Sequence, residues 1–332
     1  MNIPKPRCNQ ISIDATSYYH CVSRCVRRAF LCGYDSFTGQ DYEHRRQLLE
    51  NKILELSAIF ALDVCAYAVM SNHYHIVLHI NQQQASNWSF DEVISQWHKL
   101  FAGSFLSQRY ISGHTLSKAE LNRLNEYVAL WRKQLMDISW FMRVLNEAIA
   151  RAANKEDNCT GRFWEGRFKS QALLDEAALA ACMAYVDLNP IRANIAKTPE
   201  ESAHTSVKRR IDCSAKKQKT ATTPQHYELF PFVGNQRKNM PEGLPFRLQD
   251  YLELVDLTGR MIREDKRGFI DNAEPPILKR LNIQAENWLY LTQHFESKLK
   301  GLVGSTINLK VACVKLGYRR NYFLKTCEMF FT

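Results

Sequence analysis

His73 and His75 stand either side of a single tyrosine, inside the apolar stretch Ala66–Ile80. In a β-strand, residues i and i+2 share a face. Both imidazoles can therefore reach one ion, while Tyr74 packs on the opposite side. A His-x-His pair alone is as readily structural as functional. A second stretch, Tyr185-Val186-Asp187-Leu188-Asn189-Pro190-Ile191-Arg192, adds a phenol and a carboxamide. Tyr185 and Asn189 are spaced i and i+4, so on a helix they share a face with Cβ atoms about 5–6 Å apart. Two imidazoles and an amide oxygen could hold a divalent cation, with the phenol beside it as a nucleophile. Each residue also has a plainer use: Tyr185 as a core aromatic, Asn189 as a helix C-cap before Pro190.

The elements that must position these groups are legible in the pattern. Residues 16–25 predict a strand ending near Arg24, and 41–60 a helix. Residues 62–70 and 73–80 predict two strands joined through Ser71-Asn72, which suits a tight antiparallel turn. Strand, helix, strand, strand is half of a ferredoxin-like or palm-like sheet. Helices are expected over 90–109, 117–136 and 139–154, with a polar linker near 111–115. Gly161–Ser170 reads as extended. The Ala-rich run from Asp175 reads as a helix with acidic residues in its first turn and a stop at Asn189-Pro190.

Composition sets bounds. The 332 residues are 45% hydrophobic, enough for one large domain or two ordinary ones. The formal net charge of +10 suits a polyanion, whose condensed counterions Lys and Arg displace. Ten cysteines are scattered with no Cys-x-x-Cys, which reads as reduced thiols rather than a disulfide framework or a zinc site. No apolar run reaches the length of a membrane span, and Met1–Arg7 lacks a signal-peptide core, so a soluble, cytoplasmic protein with no membrane partner is expected. From about residue 200 the composition shifts. Lys208-Arg209-Arg210 and Lys216–Lys219 read as an exposed basic segment. Residues 245–332 look mainly helical. Ala312–Phe323 could be a small helix-turn-helix, although a packing accessory fits it better.

Four stretches in order carry a resemblance: Tyr18–Arg24, Met70–His75, Gly161–Phe168 and Tyr185–Asn194. Together they resemble the HUH single-tyrosine endonucleases, and more finely the REP-associated tyrosine transposases, over roughly residues 12–207. The resemblance implies an α+β fold: a ferredoxin/palm-like antiparallel sheet with flanking helices (the HUH endonuclease fold), followed by a mainly α-helical C-terminal region that the resemblance does not cover. The expected division is a transposase domain over 1–207, a basic linker over 208–244 and a helical accessory, a candidate DNA-binding region, over 245–332.

The implied activity is cleavage and rejoining of single-stranded palindromic hairpin DNA during transposition. Tyr185 would attack the phosphodiester, giving a 5′-phosphotyrosine and a free 3′-OH. The stored bond makes ATP unnecessary. His73 and His75 would hold Mg²⁺ or Mn²⁺, with Asn189 as the candidate third ligand. His20 and His79 are weaker candidates; His79 lies about 13 Å beyond His75 at ~3.3 Å per residue. Arg24, Arg162, Arg167, Lys169 and Arg192 are candidates for DNA phosphates. Trp164 and Phe168 are candidates for stacking on unpaired bases, though core packing suits both better. Glu165 could brace an arginine or orient a histidine. Alternatives are a domesticated hairpin-binding protein without cleavage, or a replication-initiator-like nickase. Relatives work as monomers or as homodimers that donate the tyrosine helix in trans.

Overall fold

The computed structural model describes residues 10–26, 31–36, 39–217, 229–234, 241–263, 275–318 and 324–331. In chain order the first half runs β1 (Tyr18–Arg24), α1 (His44–Ser57), β2 (Leu62–Val69), β3 (His73–Ile80), α2 (Gln82–Asn87), α3 (Phe90–His98), α4 (Phe105–Ile111), α5 (Lys118–Leu135) and α6 (Ile138–Glu156). The second half runs β4 (Lys169–Leu173), α7 (Glu176–Asp187), α8 (Asn189–Arg192), α9 (Ser206–Lys217), α10 (Leu248–Arg263), α11 (Pro276–Leu281), α12 (Ala285–Lys298), β5 (Leu302–Val303), α13 (Thr306–Lys315) and α14 (Leu324–Glu328).

The sheet order is β2-β3-β1-β4-β5. The first four strands pair antiparallel, and β5 joins β4 in parallel. The expected antiparallel sheet is therefore a mixed one, because a strand from the C-terminal region completes its edge. The fold is α+β, a five-stranded sheet with helices on both faces.

The two faces have different covers. On one, Tyr67 is hydrogen-bonded to Glu50 of α1, and the Tyr74 hydroxyl donates to Asn146 Oδ1 of α6 at 2.8 Å. Asn146 in turn donates to Ser23 Oγ at 3.0 Å, so α6 is tied to both β1 and β3. The other face lies under α7. Every residue from Ala178 to Asp187 is buried, as expected of a helix enclosed all round rather than amphipathic. Its alanines face a sheet that is itself small-sided at β2, where Ala66 and Ala68 share a face with His75 and Val77. Small residues on both sides let the helix settle close to the strands. Asp175 fixes its start: Oδ1 accepts from the Ala178 N–H at 2.9 Å. Oδ2 accepts from Ser305 N at 2.6 Å, docking the loop before α13. Gly304 is required there, since a Cβ would sit 2.8 Å from Asp175 Oδ2 and 2.9 Å from Leu174 Cβ.

Two expectations need revision and a third needs extending. The helix read over 90–109 is two helices, because Gly103 takes φ +75° and Ser104 opens a new capping box with Ser107. The stop at Asn189-Pro190 holds for α7, which ends at Asp187, but a second short helix begins at once. Pro190 enters the first turn of α8, where a missing N–H costs nothing, and the chain continues one more helical turn. Lys208-Arg209-Arg210 belongs to α9 rather than to an exposed segment. Arg210 is buried, donating to the Cys65 and Phe230 carbonyls at 2.9 and 3.1 Å. Lys219 to Pro224 and residues 319–323 of the helix-turn-helix candidate lie outside the described residues.

Packing also crosses residues 207 and 244. The Tyr251 hydroxyl of α10 donates to Asp187 of α7 at 2.6 Å, and α12 lies along α7. Nine cysteines among the described residues are free thiols. No helix among the described residues is long and apolar enough to cross a membrane.

Candidate functional site

The register sets the site. Arg24 pairs with His73, Val22 with His75 and His20 with Val77. On the other side of β1, Gln171 pairs with His20 and Lys169 with Val22. Directly opposed residues of antiparallel strands project to the same face. His20, Arg24, His73, His75, Lys169 and Gln171 therefore share the face that α7 covers.

Tyr185, in the last turn of α7, meets them. Its ring lies 5.6 Å from that of His75 and 6.2 Å from that of His20, edge-on to both. The rings of His73 and His75 are 4.9 Å apart and nearly perpendicular. Phe295 of α12 packs against the phenol at 5.8 Å. The Arg192 guanidinium lies over its ring, with Cζ 3.9 Å from the centroid. Arg192 Nη1 also donates to the carbonyls of Tyr185 and Thr292, both at 2.7 Å. The i+7 arginine thus holds the end of the tyrosine helix against α12. Glu296, also on α12, lies near the Tyr185 phenol.

Burial dominates the electrostatics. It pushes the Tyr185 phenol up to about 12, with Arg192 opposing and Glu296 adding to the rise. It pulls His73 down to about 4, reinforced by the positive charges of Arg24, Arg192 and Lys169. His75 is held well below the usual imidazole value, by burial first and then by its cationic and imidazole neighbours. The imidazoles are therefore neutral and able to ligate, in a field positive enough to attract an anion.

Three polar contacts orient the rings. His20 Nε2 lies 2.9 Å from His75 Nδ1. His20 Nδ1 lies 2.6 Å from Gln171 Oε1. His73 Nδ1 lies 2.6 Å from Asn72 Oδ1. His75 Nε2 and Asn189 Nδ2 are buried without a hydrogen-bond partner. Among the described residues no three His, Cys, Asp or Glu side chains converge into a metal cage. The donor set that does converge is two imidazoles with one unpartnered ring nitrogen. Asn189, one turn after Tyr185, offers a carboxamide whose nitrogen is orphaned as placed. That set fits a divalent ion only as an open site, with phosphate oxygens and water supplying the remaining ligands.

The other predicted residues fall in two groups. Arg162, Arg167 and Lys169 are exposed, and Arg24 is half-buried beside His73. Lys169 lies 3.8 Å from Glu296. Trp164 is a packing residue: it stands edge-on to Tyr74 and donates from Nε1 to the Asn146 carbonyl at 2.8 Å, so its ring offers no free face here. Phe168 is buried too. It lines a cavity of about 510 Å³ with His20, Arg167, Lys169, Glu296 and Lys300. Glu165 is exposed and joins the site only through its backbone N–H, which donates to the Arg24 carbonyl at 2.9 Å. His79 is occupied elsewhere, 2.8 Å from Asp63 and stacked on Phe230.

Sequence reasoning missed Glu296 and Gln171 and undervalued His20. For Glu296 the only signal is the spacing Trp288, Leu291, Thr292, Phe295, which marks the buried side of α12 and leaves Glu296 at its margin. For His20 the signal is the alternation Tyr18, His20, Val22, Arg24, which puts it on Arg24's face; that Gln171 stands opposite depends on strand pairing.

No family model and no curated protein matches this chain. Among solved structures, the chain is similar to one described as "Structure of the REP associates tyrosine transposase bound to a REP hairpin". The similarity covers 68% of this chain and 92% of that one, at 10% identity and a TM-score of 0.35.

Proposed function

We propose that this chain is a single-tyrosine DNA transposase of the HUH type, which binds folded single-stranded DNA and cuts and rejoins it. One observation carries the reading: a phenol and two neutral imidazoles meet on one sheet face, beside the cations Arg24, Arg192 and Lys169. A DNA phosphate is the anion such a rim draws in.

In the proposed reaction Tyr185 Oη attacks the phosphorus, an O–P bond forms and the P–O3′ bond breaks. The phenol proton passes to the nearby Glu296 carboxylate. The departing 3′ oxygen takes a proton from solvent. Attack by a second 3′-OH on the phosphotyrosine reverses the step and rejoins the strand without ATP. A Mg²⁺ or Mn²⁺ ion held by His73, His75 and Asn189 would neutralise charge developing on the phosphate. Arg24, Arg162, Arg167 and Lys169 would follow the backbone, and the cavity beside Phe168 would receive an unpaired base.

The test is incubation of labelled hairpin oligonucleotides with Mn²⁺ or Mg²⁺, followed by a denaturing gel. A shifted covalent protein–DNA band is expected from the unaltered chain and none from Tyr185→Phe or His73→Ala. Absence of the band with every hairpin and metal would exclude cleavage. The enclosure of Tyr185, 8% exposed, favours a second reading: hairpin binding without cleavage. In that case Tyr185→Phe retains full hairpin affinity and neither protein gives the band.

A further inference from the structure

We propose that Gln171 and His20 are positioning residues that set the tautomer of His75, through a polar relay anchored on the Leu299 carbonyl. The use of His75 as a ligand rests on the function proposed above, whereas the relay is a property of the fold.

Each link has a fixed polarity. The Leu299 carbonyl can only accept, so the Gln171 group facing it is the amide nitrogen, and Nε2 donates. That orientation puts Gln171 Oε1 on the other side, 2.6 Å from His20 Nδ1. A carboxamide oxygen only accepts, so His20 Nδ1 carries the hydrogen. His20 and His75 are both fully enclosed, and a buried imidazole favours the neutral ring. His20 Nε2 is therefore bare and accepts, across 2.9 Å, from the Nδ1–H of His75. The neutral His75 ring then has its lone pair on Nε2, the nitrogen with no partner. A ligand histidine commonly donates its second N–H to such an outer partner, which fixes both tautomer and ring orientation. Here the outer partner is another histidine, and a glutamine pinned by the backbone makes the choice unique. Leu299 follows α12 directly, so the C-terminal region reaches the histidine pair through this relay as well as through Phe295.

Two readouts test this, one of which needs no DNA and no metal. The full-length apo protein, labelled with ¹⁵N in its histidine rings, is examined by long-range proton–nitrogen correlation. The ring signals are assigned by their loss in His20→Ala and His75→Ala. Both rings are expected as Nδ1–H tautomers; His75 found as the Nε2–H tautomer overturns the relay. Gln171→Leu should give His75 a mixture of tautomers and weaken Mn²⁺ binding, followed by electron paramagnetic resonance, by ~10-fold or more. An unchanged His75 tautomer in Gln171→Leu would remove Gln171 from the relay. Nδ1–H tautomers in a protein that binds no Mn²⁺ would leave the relay standing and refute the metal site alone.

Discussion

Tyr185 lies between opposite charges, with Arg192 over its ring and Glu296 of α12 nearby. Burial keeps the phenol neutral at physiological pH, with its ionisation displaced to about 12. In the proposed reaction Tyr185 needs a proton acceptor close by, and the candidate is Glu296. General-base assistance is worth about 10²–10⁴ in rate, so Glu296→Gln should slow single-turnover nicking by that order. Hairpin affinity, measured in parallel, should not fall, because the substitution removes an anion beside Lys169 and no cation. An unchanged nicking rate would take Glu296 out of the proton transfer. At this scale the sequence was informative wherever the placement of a side chain is local. His73 and His75 reveal themselves by alternation within one strand, and Tyr185 by its place in one helix. Gln171 and Glu296 do not, since nothing near them in the chain says that β4 pairs with β1 or that α12 lies along α7.

The elements carry the site by close packing and by a few buried polar ties. Glu50 of α1 is an example: it is bonded to Tyr67 of β2 and to His204. Burial alone would raise its carboxyl, but the bonds from His204 and Tyr67 and the nearby Arg209 outweigh it and hold the group below the ordinary carboxylate value. A carboxyl depressed in the folded state adds stability above its unfolded pKa, and that stability is lost as pH falls through the folded value. Glu50→Gln should therefore cost about 1–3 kcal/mol at pH 7. In urea unfolding at a series of pH values, the gap between variant and unaltered protein should close below the ordinary carboxylate range. A gap independent of pH would mean that the charge of Glu50 contributes nothing. Most elements were legible from periodicity. The break between α3 and α4 was not, since Phe101, Phe105 and Leu106 continue an apolar pattern through it. The positive φ of Gly103 and the Ser104 cap decide otherwise. Asn189-Pro190 marks the end of α7 but not the start of α8, because a proline that ends one helix is equally suited to start the next.

Across the whole molecule, the C-terminal region packs against the candidate site. The C-terminal region supplies Phe295 and Glu296 beside Tyr185, Tyr251 on Asp187 and β5 at the sheet edge. None of this was visible in a segment that reads only as generic amphipathic helices. Ending the chain after residue 244 should therefore expose the outer side of α7 and abolish cooperative thermal unfolding; a truncated chain melting as sharply as the full one would restore an independent N-terminal domain. On the proposed function hairpin affinity should fall with salt, so affinities belong at one ionic strength. The central claim is that Tyr185 is the residue joined to DNA. Its most direct measurement is mass spectrometry of the adduct formed with a hairpin oligonucleotide and Mn²⁺ after trypsin and nuclease digestion. The account predicts the nucleotide on peptide 170–192, attached to Tyr185 through the 5′ phosphate. Attachment at any other residue, or through a 3′ phosphate, would contradict it.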